Sequence, residues 1–315
     1  MSGLRVSEVL RFMGEYTRLT GYPVPAPPGF ASEWSRGLEL NGEGSGRLLF
    51  TGALYQLVPY INATIRFLEV LESRGLSLLL PSVIELANIR PSAVYGLVRP
   101  QRGEVEESAR ILRSIVTLLG RSGVDFAYDP AVSDMYSGAL LLDYGVMDGL
   151  EDHAKKVVSA INSTGASEVI VVDPHTALTL MEYRVRYGLR PAVKVYLELV
   201  KPSKASLNDV VTVHDSCVYS RDLNMWAKVR ELLGGAGVSI REARNHGPMT
   251  FCCGGPMEAL SPRLSSLVAR RRLSQLVRAS KTIVTACPVC LGNLRRVAQE
   301  DVKVVDLSLL LVGQR

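Results

Sequence analysis

The first 216 residues of this 315-residue chain contain no cysteine. Any redox or metal chemistry carried by thiolates therefore falls to the last third. Other shortages narrow the field further. No uncharged apolar run reaches the 18 or more residues of a membrane-spanning helix; the densest, from Leu76 to Val83, stops at Glu85. The opening residues, Met1-Ser2-Gly3-Leu4-Arg5, lack the apolar stretch of a secretory signal. The charge balance, 36 basic against 31 acidic residues for a net +5, is too mild and too scattered to argue for nucleic acid. Without a secretion signal, five cysteines point to reduced thiols or metal ligands in a reducing cytoplasm, not to disulfides. The sequons at Asn62 and Asn162 carry no weight for the same reason.

What is present is a chain long enough for one to three packed domains. At 47% hydrophobic and 21% charged residues, its composition is that of an ordinary soluble protein. All five cysteines stand between Val210 and Leu291, in three groups: His214-Asp215-Ser216-Cys217, Phe251-Cys252-Cys253-Gly254-Gly255 and Ala286-Cys287-Pro288-Val289-Cys290. Each group follows a β-like run: Val210 to Val213, Val238 to Ile240, and Thr282 to Val284. Loops at the carboxyl ends of parallel strands converge on one edge of an open α/β sheet, where ligands bind. Three loops about one βα unit apart can thus bring five thiols to one place. Adjacent residues of a strand face opposite ways, so Cys252 and Cys253 can share a centre only if the backbone turns, which Gly254 and Gly255 permit. Pro288 would bend the chain so that Cys287 and Cys290 face that same centre. A structural zinc takes four ligands and leaves one thiol over, whereas an iron–sulfur cluster is held mainly by thiolates. Five thiols favour the cluster.

The order Cys, 34 residues, Cys-Cys-Gly, 33 residues, Cys-x-x-Cys resembles the cysteine-rich CCG domain of heterodisulfide reductase B-type subunits. The same domain occurs in iron–sulfur subunits of glycolate and lactate oxidation systems. The resemblance implies a [4Fe–4S] cluster, of the non-cubane type, ligated by Cys217, Cys252, Cys253, Cys287 and Cys290. It also implies partners that pass electrons: a ferredoxin-like iron–sulfur subunit, a flavin-containing dehydrogenase subunit, or both, with peripheral membrane association through such a complex.

Upstream, Val6, Val9, Leu10, Met13 and Tyr16 recur at helical spacing, which predicts an amphipathic helix over residues 6–20. A Pro/Gly-rich connector follows from Gly21 to Gly29. The run Gly42-Glu43-Gly44-Ser45-Gly46 precedes a strand, where a dinucleotide fingerprint would follow one, and reads as a flexible turn. The chain then repeats itself. Leu118 to Val124 aligns with Leu232 to Val238, an offset of 114 residues (232 minus 118). Glu168 to Pro174 falls on the strand and loop ending at Cys287-Pro288, and Tyr136-Ser137-Gly138 falls near Cys252-Cys253-Gly254. Cys217 has no firm counterpart, Leu97 fitting the spacing better than Ala53. Tyr, Ser, Asp and Thr replace the thiols in the first copy, so it is expected to bind no cluster. Within the resemblance, that departure favours single-electron relay over heterodisulfide cleavage. The fold expected is α/β: two tandem related units with mainly parallel sheets, preceded by the N-terminal helix and connector. The units are residues 1–46, a degenerate cysteine-free unit at 47–205, and the cysteine-rich unit at 206–315.

Smaller candidates carry two readings each. His214 and Asp215 could hydrogen-bond cluster sulfurs or simply satisfy loop amides. His246 could tune a cluster potential or touch a substrate, but reads more simply as an exposed loop histidine; His175 could mark a remnant metal site with Asp173, but two ligands alone hold metal poorly. Arg270-Arg271-Arg272 read as the solvated face of a helix that Ser261-Pro262 starts, with a partner-docking patch as the other reading. Three functions stay open at this level: an electron-transfer subunit of an oxidoreductase, a zinc-stabilised interaction module, and a dithiol oxidoreductase using Cys287 and Cys290.

Overall fold

The structure, a computed structural model, describes residues 6–40, 45–76, 79–202 and 210–313. The opening five residues, most of the glycine run at 42–46 and the expected boundary between residues 205 and 206 lie outside the described residues. The first helix runs Val6–Thr20 and buries Met13 and Tyr16. Among the described residues seven strands follow: β1 (Arg47–Phe50), β2 (Glu168–Val171), β3 (Ala192–Val195), β4 (Val210–Val213), β5 (Ser239–Ile240), β6 (Thr282–Thr285) and β7 (Lys303–Asp306). They form two sheets, ordered β1-β2-β3 and β5-β4-β6-β7, and these strands all pair in parallel. None of these seven exceeds four residues, so ladder hydrogen bonds worth about 1 kcal/mol net each contribute little. Burial decides the matter: β1, β2, β4 and β6 each bury their last three residues. Each such apolar side chain is worth about 1.5–3 kcal/mol.

The duplication is visible in the pairing. Leu48 of β1 lies opposite Val169 of β2, as Thr212 of β4 lies opposite Ile283 of β6. A single parallel bridge between Leu48 and Ala127 stands where β5 pairs with β4. That register carries Cys217 onto Ala53, not onto Leu97. Leu97 follows the short helix Pro91–Val94, half exposed and away from the sheet edge. The spacing misled because the helices Leu80–Ile89 and Pro91–Val94 are inserted between β1 and the long helix Arg102–Arg121 of the first unit.

The two units share one hydrophobic core. The helix Leu54–Ser73 of the first packs on the helix Pro288–Val297 of the second. A Cβ at Gly292 would stand 2.9 Å from Val58 Cγ1, so this crossing depends on a glycine. The Tyr55 hydroxyl donates to Asp306 Oδ2 at 2.7 Å and lies 3.3 Å from the Ala286 carbonyl. Arg295 and Glu107 form a two-pronged ion pair across the same junction. Among the described residues no helix is long and apolar enough to cross a membrane.

Candidate metal centre

The three cysteine loops leave the carboxyl ends of β4, β5 and β6, which are neighbours in the second sheet. Topology alone therefore brings them to one edge. There the thiols form an unbroken chain of side-chain contacts. Cys217 meets Cys252, Cys252 meets Cys253, Cys253 meets Cys290, and Cys290 meets Cys287. Cys253, Cys287 and Cys290 are buried, whereas Cys217 and Cys252 keep part of their surface in solvent.

Backbone turns aim the sulfurs. Gly254 sits at φ 85°, a left-handed conformation that lets consecutive cysteines serve one side. Its amide donates to Cys252 Sγ and the Gly255 amide donates to Cys253 Sγ, each at 3.3 Å. A Cβ on Gly255 would lie 2.2 Å from Val289 Cγ1, so the Cys-Cys-Gly and Cys-x-x-Cys loops touch only because this residue has none. Cys287 occupies the N-cap position of the helix Pro288–Val297, with proline at the first helical position.

The electrostatics follow from these contacts. Burial pushes the Cys287 thiol up, but hydrogen bonding from the Cys290 side chain and amide, and the neighbouring His175, outweigh it and leave the thiol well below the ordinary range. Cys252 is likewise lowered, chiefly by hydrogen bonds from Cys217 and Cys253. Those same bonds, with burial, raise Cys217, Cys253 and Cys290. One sulfur gives up its proton because its neighbours keep theirs; the group titrates as a set.

Two histidines flank the thiols in opposite tautomeric settings. A guanidinium is only ever a donor, so the 3.1 Å contact from Arg272 Nε makes His214 Nδ1 the acceptor. Burial first and the Arg272 charge second push His214 down to about 3. The neutral ring then carries its proton on Nε2, which has no other partner among the described residues. One ring nitrogen of His214 lies within 4.8 Å of the Cys253 and Cys290 sulfurs. The neutral ring thus sets a polar nitrogen beside these two buried sulfurs. His175 shows the reverse. Its Nδ1 lies 2.7 Å from Asp143 Oδ2, and its side chain also hydrogen-bonds Cys287. Burial alone would lower its pKa, but the Cys287 and Asp143 charges raise it well above the usual value.

Several sequence readings shift on this evidence. Asp215 holds loops together instead of facing sulfur: Arg230 binds both its oxygens and the Gly247 amide donates to Oδ2 at 2.6 Å. His175 pairs with Asp143, while Asp173 caps its own helix through the Thr176 amide. His246 is an exposed loop residue whose Nδ1 lies 2.8 Å from the Ala243 carbonyl oxygen. Arg270 and Arg271 are exposed as expected, but Arg272 is only 1% exposed. Its guanidinium donates to His214, the Asn245 carbonyl, Gln275 Oε1 and Thr250 Oγ1. Helical spacing held the clue, since Arg272 shares the inward stripe of Ser265, Ala269 and Leu276. Asn293 was also missed; it donates to the Cys253 carbonyl at 2.6 Å. Asp143, 32 residues from His175, left no signal in the sequence.

The first unit repeats the site with other atoms. Gly138, at φ 90°, follows Tyr136-Ser137 as Gly254 follows Cys252-Cys253. Asp173 takes the N-cap place of Cys287.

Residues 211–295 match the family of the CCG cysteine-rich domain. This stretch is a CCG domain. Two curated relatives contain similar sequence. The "Probable iron-sulfur-binding oxidoreductase FadF" of Bacillus subtilis (strain 168) is 25% identical over 221 residues, which cover 65% of this chain and 31% of the relative. The "EtfAB:quinone oxidoreductase" of Syntrophomonas wolfei is 28% identical over 229 residues, 64% of this chain and 31% of that protein. The chain thus matches about a third of each relative's length, a span far longer than the CCG domain alone.

Proposed function

We propose that this chain is an iron–sulfur electron-transfer component of an oxidoreductase, with one [4Fe–4S] cluster held by Cys217, Cys252, Cys253, Cys287 and Cys290. The observation that carries the reading is the continuous contact of five thiols delivered by three loops. A tetrahedral zinc site would leave one of them idle. Dithiol exchange needs an accessible sulfur, and Cys287 and Cys290 are 0% and 2% exposed. The printed names of both relatives describe oxidoreductases, one of them iron–sulfur-binding.

When bound, such a cluster supplies reversible one-electron chemistry. The chain's own residues supply the setting. The Gly254 and Gly255 amides donate to the Cys252 and Cys253 sulfurs, which favours the more negative reduced state, and the His214 ring adds a polar nitrogen within 4.8 Å of the Cys253 and Cys290 sulfurs. Arg272 places a buried positive charge whose nearest thiol influences are Cys290 and Cys253. The first unit offers hydroxyls and a carboxylate where a second thiol set would stand, which favours relay of single electrons over heterodisulfide cleavage. A ferredoxin-like or flavin-bearing partner suits that role, and a reducing cytoplasm suits five free thiols.

Metal and sulfide analysis of anaerobically purified protein, with EPR, tests the reading. Brown protein with about four irons and four sulfides per chain is expected; colourless protein with one zinc and no sulfide would overturn it. The EPR spectrum separates a cubane from a non-cubane cluster.

A further inference from the structure

Of the two thiols that keep part of their surface in solvent, Cys217 and Cys252, the second opens onto a surface depression. Phe251, Cys252, Val268 and Arg271 line one shallow depression. Around it stand four of the chain's large exposed hydrophobics: Met249 at 72%, Phe251 at 42%, Leu264 at 45% and Leu267 at 56%. Leu264, Leu267, Val268 and Arg271 follow the i, i+3, i+4, i+7 spacing of one helix face. The opposite face of that helix, Pro262–Leu276, is the buried one. Scattered exposed apolar residues mean little, but a contiguous apolar patch marks an interaction site.

Charge says what kind. The helix Pro262–Leu276 contains no acidic residue, and its Arg263, Arg270 and Arg271 are exposed. Among the described residues none of these three arginines forms an ion pair. Arg221 adds a fourth cation, its Nη1 donating to the Thr250 carbonyl at 3.0 Å beside Phe251. Exposed Asp222 is its acidic neighbour in sequence. An apolar centre with a rim of net positive charge is the arrangement that steers a transient, oppositely charged partner.

We propose that this face docks an acidic electron-carrier protein, with Phe251 and Leu267 meeting its apolar centre and Arg263, Arg270 and Arg271 meeting its carboxylates. The inference rests on the cluster reading for its purpose, since it puts the carrier over the solvent-facing edge of the thiol group. Cys252 borders both sites, but the apolar and arginine side chains proposed for docking are no part of the thiol set, and one experiment reads both.

Titration calorimetry of the iron-loaded chain against an acidic [2Fe–2S] ferredoxin, with a basic cytochrome c as charge control, tests it. Ferredoxin should bind, cytochrome c should not, and rising salt should weaken the ferredoxin complex. The triple variant Arg263→Glu, Arg270→Glu, Arg271→Glu should lose on the order of tenfold or more in affinity with iron content unchanged. The milder Arg271→Gln, losing several-fold, covers the case of a triple variant that does not fold. Leu267→Ser should also weaken binding while leaving its salt dependence in place. Equal ferredoxin binding by the arginine variants, or preference for cytochrome c, would overturn the docking face. Ferredoxin binding by a chain that takes up no iron would keep the docking face and sink the cluster reading.

Discussion

The Ser137 hydroxyl lies 3.1 Å from the Thr176 hydroxyl, at the position of the first unit where Cys253 meets Cys290 in the second. A hydrogen bond has taken the place of a thiol contact, and the surrounding backbone has kept its shape. Replacing Thr176 with valine keeps the volume but leaves the fully buried Ser137 hydroxyl without that partner. Stability should fall by about 1–3 kcal/mol, read from urea unfolding, while iron content stays the same.

Gly254 is the sharper test of the thiol geometry. An alanine there must hold φ near +85° and put a Cβ 2.9 Å from the Ser265 carbonyl oxygen. The expected cost is about 1–3 kcal/mol of strain, with a clear drop in bound iron. Full iron loading in Gly254→Ala would show that the turn does not aim the paired cysteines.

Arg272 and His214 act as a pair. Arg272→Gln removes the donor that fixes which imidazole nitrogen carries the proton. Loss of a buried, fully bonded guanidinium should cost about 3 kcal/mol. His214→Phe should keep the iron but shift the midpoint potential downward, since a polar ring nitrogen within 4.8 Å of the Cys253 and Cys290 sulfurs is lost. An unchanged potential in His214→Phe would refute that influence of the ring.

Asp306 predicts a pH dependence. Burial is the largest influence and raises its carboxyl from 3.8 to about 6, against hydrogen bonds from Ser308 and Tyr55 that lower it. The folded state therefore holds a proton that the unfolded state releases between these values. Stability should be higher near pH 4 and fall as pH rises to about 6, by up to about 3 kcal/mol from this group. Asp306→Asn should flatten that portion of the stability profile; an unaltered slope would assign it elsewhere.

Much of the site could be read from the chain itself, because cysteine spacing and strand periodicity are local properties. Three β-like runs each led into a loop bearing thiols, and topology did the rest. Arg272 was legible only through helical phase, which turns it inward although Arg271 and Arg270, one and two residues before it, stay exposed. Asp143 was not legible at all, since its meeting with His175 is made by tertiary packing between separate helices. Cys217's counterpart was misplaced because an insertion of two helices stretches the first unit, and a constant offset cannot cross an insertion.

The helix Leu54–Ser73, which bears no thiol, lies against the one that bears Cys290. A fragment starting at residue 206 would hold every sulfur yet strip Gly292 of Val58 and Asn62, and Asp306 of the Tyr55 hydroxyl. The cysteine-free half thus endures as a buttress. A thiol-bearing half made alone should therefore be less stable than the whole chain.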